Sequence, residues 1–132
     1  MPSAQSTNQT FILQAMVSMA AAEGDVLESK VAMIRSVYSQ VTGDVVSADE
    51  ISAAPQPYRA RGLTFAGLLK RECRELTRET KEIILRGAYM VLLADGRVGA
   101  RERKKLSDFV SALKISEIHR SVIFEDVECA QH

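Results

Sequence analysis

The segments Met16–Gly43 and Ala88–Ile115 carry the same pattern twice. With one laid on the other, Ala22 falls on Ala94, Glu23 on Asp95, Gly24 on Gly96 and Val26 on Val98. Further along, Ile34 meets Leu106, Val37 meets Phe109 and Val41 meets Leu113. Each copy reads as an apolar helix, an acid-Gly-x-Val turn and an amphipathic helix. The order of apolar positions and the placement of the turn repeat, more than the residue identities do. One helical hairpin cannot bury its own apolar face, so the two copies must pack together or onto the segment between them. This predicts an all-α, compact helical bundle of about six to seven helices containing two pseudo-repeated helix–acidic turn–helix hairpins.

The remaining boundaries follow from local chemistry. Residues 1–9 are polar and read as a flexible N-terminal arm, with the helical domain over residues 10–132. The first helix is expected from Thr10 to Ala22, with Phe11, Ile12, Ala15, Met16 and Met19 at helical spacing. Glu23-Gly24-Asp25 ends it. The second is expected from Glu28 to Val41, with Gly43 suited to a left-handed position just past its end. Ser47 with Glu50 has the form of a capping box, predicting a short helix to Ala53 that Pro55 and Pro57 stop. Arg59 to Arg78 reads as helical with interruptions. Thr77 or Thr80 caps a long helix to Ala94, another runs from Ala100 to Leu113, and Ser116 caps a last one to Val127. No stretch alternates with period two between hairpin turns, so strands are not expected.

A chain of 132 residues fits one domain, and 46% hydrophobic content supplies a core. Trp is absent and aromatics make up 5%, so that core must come from Leu, Ile, Val, Met and Ala. Formal net charge is +0, which argues against a general attraction to nucleic acid or anionic membrane. Basic residues do predominate between Arg59 and Lys105. There Glu72, Glu75, Glu79 and Glu82 interleave with Arg71, Arg74, Arg78 and Lys81, the pattern of pairs within a helix rather than a phosphate-binding face. The apolar stretch from Phe11 to Ala22 is too short to span a bilayer, and no basic region precedes it. The expectation is a soluble cytoplasmic protein with no signal peptide, no transmembrane segment and no nucleic-acid partner. Cys73 and Cys129 form no CxxC and have no His at zinc spacing, so they read as two reduced thiols.

Ala94-Asp95-Gly96-Arg97-Val98, with Glu102 in the next turn, resembles the motif of the TerB-like (tellurite-resistance) family. Ala22-Glu23-Gly24-Asp25-Val26-Leu27-Glu28 looks like a variant of the same turn, with Glu in place of Asp and Lys30 where the second hairpin has Glu102. The resemblance covers both hairpins. It implies an all-helical fold that brings the acids of the two turns together, a divalent-metal site, a role in bacterial tellurite resistance and related stress responses, and protein partners at the inner face of the membrane.

The acids also merit attention on electrostatic grounds. Glu23 and Asp95 lie at or just past a helix C-terminus, where a carboxylate is disfavoured, whereas Glu28 and Glu102 lie in a first turn, where it is favoured. If the hairpins pack side by side, Glu23, Glu28, Asp95 and Glu102 converge. Carboxylates without Cys or His suit a hard cation, Ca²⁺ or Mg²⁺, and Asp25 and backbone carbonyls are further oxygen donors. The same residues also serve purely as turn and cap: Asp95 before Gly96, and Glu102 or Glu28 reaching back to a helix start. Lys30 and Arg101 stand beside the turns and would neutralise the acids without any metal. Asp95-Gly96-Arg97-Val98-Gly99 lacks the alternating ligands of an EF-hand.

No catalytic constellation is expected. His119 stands alone on the last helix, and His132 is the terminal residue. Cys73 is flanked by Arg71 and Arg74, which favour a reactive thiolate, against the alternative of a core thiol. Met16, Met19, Met33 and Met90 fall on helical faces and read as core filling. The competing function is a metal-independent helical protein–protein interaction module, whose signature would be an apolar patch left exposed after folding.

Overall fold

The pattern of helix starts and stops is realised in a computed structural model that describes residues 4–20, 28–52, 65–95 and 99–130. Every regular element among them is helical: α1 (Ala4–Ala20), α2 (Glu28–Thr42), α3 (Ala48–Ser52), α4 (Phe65–Glu72) with a 3₁₀ turn at Cys73–Glu75, α5 (Arg78–Asp95), α6 (Ala100–Leu113) and α7 (Glu117–Ala130). The fold is an all-α bundle, as the repeat requires.

The expected caps form by the expected chemistry. Ser47 Oγ accepts from the Glu50 backbone N–H at 3.0 Å and donates to Glu50 Oε1 at 3.2 Å, closing the capping box that starts α3. Thr77, not Thr80, caps α5: the Thr80 N–H donates to Thr77 Oγ1 at 3.1 Å. Ser116 Oγ accepts from the His119 N–H at 3.2 Å and starts α7. Gly43 takes φ 78° just past α2, a left-handed conformation that costs glycine nothing. Lys114 does the same after α6 with φ 56°, and the Ile115 N–H returns to Val110 O at 3.4 Å.

Three boundaries differ from the reading of the sequence by more than a residue, one of them at the end of α7, which runs to Ala130 rather than Val127. Helix α1 begins at Ala4 rather than Thr10, so most of the expected arm is helical. From Ala4 to Gln9 there is no Gly or Pro to stop it, and a polar stretch can extend a helix whose apolar part is docked. Among the described residues the expected Arg59–Arg78 helix comprises α4 and its 3₁₀ turn, and it ends where Leu76 turns extended (φ −91°, ψ 133°) and hands the chain to Thr77. Residues 53–64, and with them Pro55, Pro57 and Gly62, lie outside the described residues.

Packing centres on α5, which touches α1, α2, α6 and α7. Its most extensive partner is α1, its counterpart in the repeat. At equivalent positions of the repeat Ala15 and Met16 correspond to Gly87 and Ala88, and all four are buried. A Cβ placed on Gly87 would fall 2.6 Å from Met16 Cε, so the end of the Met16 side chain packs over the glycine. Ile34, Val37 and Tyr38 of α2, Phe65 and Leu69 of α4, and Leu106, Phe109 and Leu113 of α6 complete the core. Phe65 and Phe109 meet edge to face with ring centres 5.4 Å apart, joining α4 to α6.

Candidate functional site

One lysine joins the two hairpins and another closes the first. Ser18 lies in the last turn of α1 and Lys105 in the second turn of α6; Lys105 Nζ donates to Ser18 O at 2.7 Å. Lys30, in the first turn of α2, donates from Nζ to Ala20 O at 3.0 Å. The end of α1 therefore lies beside the starts of both α2 and α6. Ala20 and Glu28 flank the first acidic turn, and Asp95 and Gly99 flank the second.

The electrostatics there are consistent. The last carbonyls of a helix lack intrahelical partners and carry partial negative charge. Both ammonium groups are half-buried and answer this on α1. The alignment of the hairpins puts Lys30 opposite Glu102, so the two copies place opposite charges at corresponding positions.

Of the four acids expected to bind metal, Glu102 is the one whose side chain is described. It is half-buried in the first turn of α6. A Cβ on Gly99 would sit 2.8 Å from Glu102 Oε2, so the carboxylate folds back over the residue that precedes the helix. Gly99 offers no side-chain cap of its own, and the returning carboxylate puts negative charge at the helix start, where it is favoured. Glu23, together with Asp25, lies outside the described residues; Glu28 and Asp95 are placed by their backbone as the first residue of α2 and the last of α5. Among the described residues no group of three or more His, Cys, Asp or Glu side chains gathers as metal ligands.

The catalytic candidates have structural partners. His119 Nε2 lies 2.5 Å from Glu82 Oε1, tying the start of α7 to α5. Further along the same seam Arg86 pairs with Asp126 at 3.7 Å, and the Tyr89 hydroxyl donates to Glu128 Oε1 at 2.5 Å. Burial, with the Glu128 carboxylate beside it, pushes the Tyr89 phenol up to about 12. Cys73 is buried and its thiol donates to Leu113 O at 3.6 Å, near the end of α6. The core alternative therefore describes Cys73, and Arg71 and Arg74 point their charge to solvent-exposed positions around it. Cys129 is exposed on α7. Met16, Met19 and Met90 are core residues, with Met33 partly buried against them.

Sequence reasoning placed Lys30 beside the turn but gave no role to Lys105, whose partner is 87 residues away. It also missed an apolar cavity of about 350 Å³ walled by α5, α6 and α7, with Arg103 and Arg120 among its lining residues. Among the described residues no helix is long and apolar enough to cross a membrane. Comparison with known protein families, with curated proteins and with solved structures finds no match to this chain.

Proposed function

We propose that this chain is a TerB-like, stress-response binding module, not an enzyme, that takes up a divalent cation at the end of the bundle where its two acidic turns begin and end. The observation that carries this reading is the Lys105–Ser18 contact, because it holds the flanks of both turns side by side. Glu23, Glu28, Asp95 and Glu102 supply oxygen ligands only, so Ca²⁺ or Mg²⁺ is the expected cation. In this reading Lys30 and Lys105 hold the helix ends while the acids hold the ion, and cation binding draws the two hairpins together. That coupling gives a stress-responsive module something to transmit to a protein partner.

Calorimetric titration of Ca²⁺, Mg²⁺, Mn²⁺ and Zn²⁺ into chelator-treated protein tests it. Saturable binding of Ca²⁺ or Mg²⁺ that disappears in both Asp95→Ala and Glu102→Ala is the expected result. An absence of binding to the unaltered protein at millimolar cation would leave the acids as turn and cap residues and end the metal reading.

A second reading, a metal-independent helical interaction module, is favoured by Ile118 and Val122. They stand one turn apart on α7 and are 81% and 51% exposed. Sedimentation of the unaltered chain and of Ile118→Glu/Val122→Glu, with and without chelator, discriminates it. Association lost in the variant and indifferent to chelator supports this second reading.

A further inference from the structure

Helices α6 and α7 both pack on α5 but make little contact with each other. The left-handed Lys114 and the short connection to Ser116 set their divergence. The gap between them is the cavity of about 350 Å³, within the range of about 300–1,000 Å³ usual for small-molecule sites. Its apolar wall comes from Leu92 on α5, Leu106 and Val110 on α6, and Phe124 on α7. Leu92, Leu106 and Val110 are buried, so this surface belongs to the core and is exposed only towards the gap.

The charged residues on the same lining are of one sign. Arg103 comes from α6 and Arg120 from α7, so an arginine stands on each of these walls. Among the described residues no acidic side chain lines the cavity. The Tyr89 hydroxyl at its edge is already committed to Glu128, which leaves Ser107 as the uncharged donor. Among the described residues, the ion pairs of this region are Glu82–His119 and Arg86–Asp126, and neither Arg103 nor Arg120 pairs with a carboxylate. Two arginines beside an apolar slot are complementary to an anion with an apolar body.

We propose that the groove between α6 and α7 binds a free medium-chain fatty acid, its hydrocarbon tail against Leu92, Leu106, Val110 and Phe124 and its carboxylate at Arg103 and Arg120. The tail would remove apolar surface from water on both sides, and the guanidinium groups would hold the head group by charge-assisted hydrogen bonds. A two-chain phospholipid is too large for this volume, which favours the free acid. The site is separate from the acidic turns and stands whether or not they bind a cation.

Calorimetric titration of decanoate into the full chain, with decanol as the uncharged analogue, tests the proposal. Decanoate is expected to saturate at a single site and to bind about tenfold or more tightly than decanol. Arg103→Gln/Arg120→Gln is expected to weaken decanoate by about tenfold while leaving decanol unchanged. Ser107→Phe, an exposed position on the lining, is expected to fill the slot and abolish both. Circular dichroism melts establish that each variant is folded. Unsaturable decanoate uptake, equal affinity for decanol, or indifference to the arginine changes in folded protein would each overturn the proposal. So would NMR shifts at the groove with an acidic helical peptide but none with decanoate.

Discussion

Lys105 reaches from α6 to Ser18 O at 2.7 Å and holds the start of the second hairpin against the end of the first. Its ammonium meets the partial negative charge that gathers on the last carbonyls of a helix. At the corresponding position of the first hairpin stands Met33, so this contact has no counterpart and belongs to one copy of the repeat. Lys105→Met is therefore expected to lower stability by about 1–2 kcal/mol, the scale of a partly buried hydrogen bond to a charged donor. Lys105→Arg, which keeps the donor, should retain most of it. Urea midpoints at constant slope measure both; an unchanged midpoint in the Met variant would mean the lysine is merely decorating the surface.

Lys30 and Glu102 occupy matching positions with opposite charge. If the acidic turns hold a cation, Lys30 opposes it. Replacing the lysine by glutamate would complete the acid set of the first hairpin, so Lys30→Glu is expected to tighten Ca²⁺ or Mg²⁺ binding by on the order of tenfold. The same change removes the donor to Ala20 O and should lower the stability of the cation-free protein. Calorimetry and melting curves with and without cation separate the two effects. A variant with weaker cation binding than the parent would contradict the proposed site.

How much of this could be read in advance depends on how far apart the interacting residues lie. Ser47 with Glu50, Thr77 with Thr80 and Ser116 with His119 are separated by a single helical turn, and local chemistry is enough to place them. The core positions Ile34, Val37, Leu106 and Phe109 follow from period alone. The Lys105–Ser18 contact and the groove arise from how whole helices sit on α5. Arg103 and Arg120 look like ordinary surface arginines until α6 and α7 are seen to diverge around Val110 and Phe124. The early start of α1 was hidden for a different reason: polar residues without a breaker carry no signal for or against helix.

Lys114 adopts φ 56° at the C-terminal end of α6, where its N–H returns to Val110 O and Ser111 O. A side chain at positive φ crowds the following carbonyl, and glycine does not. Lys114→Gly is expected to stabilise the fold by about 1 kcal/mol, raising Tm by roughly 3–5 °C for a domain of this size. A fall in Tm would show that the lysine stem makes a contribution larger than the backbone cost.

The close approach of α1 and α5 is testable by a double-mutant cycle. Gly87→Leu drives a side chain into Met16, whose Cε already lies 2.6 Å from where a Cβ would stand. The expected cost is about 1–3 kcal/mol from overpacking, despite leucine's better helix propensity. Met16→Ala alone should also destabilise, by opening a cavity in a fully buried site. Together the two changes should be less harmful than their sum, because each relieves the other. Additive losses would mean that the two helices do not meet at this pair.

Tyr89 gives the fold an alkaline limit. Its phenol is pushed up to about 12, first by burial and then by the hydrogen bond to Glu128 and the charge of that carboxylate; the guanidinium of Arg103 opposes the shift. Tyr38 is raised as well, again first by burial and then by Asp44 and Glu50. The unfolded chain ionises its tyrosines near about 10. The folded state therefore favours the neutral phenol. This contribution is fully present below about pH 10 and is lost as pH rises towards about 12. Urea midpoints are expected to fall across that interval. In Tyr89→Phe they should start lower, for want of the Glu128 contact, and decline less steeply. Parallel declines in the parent and the variant would show that ionisation of Tyr89 is not what weakens the α5–α7 seam.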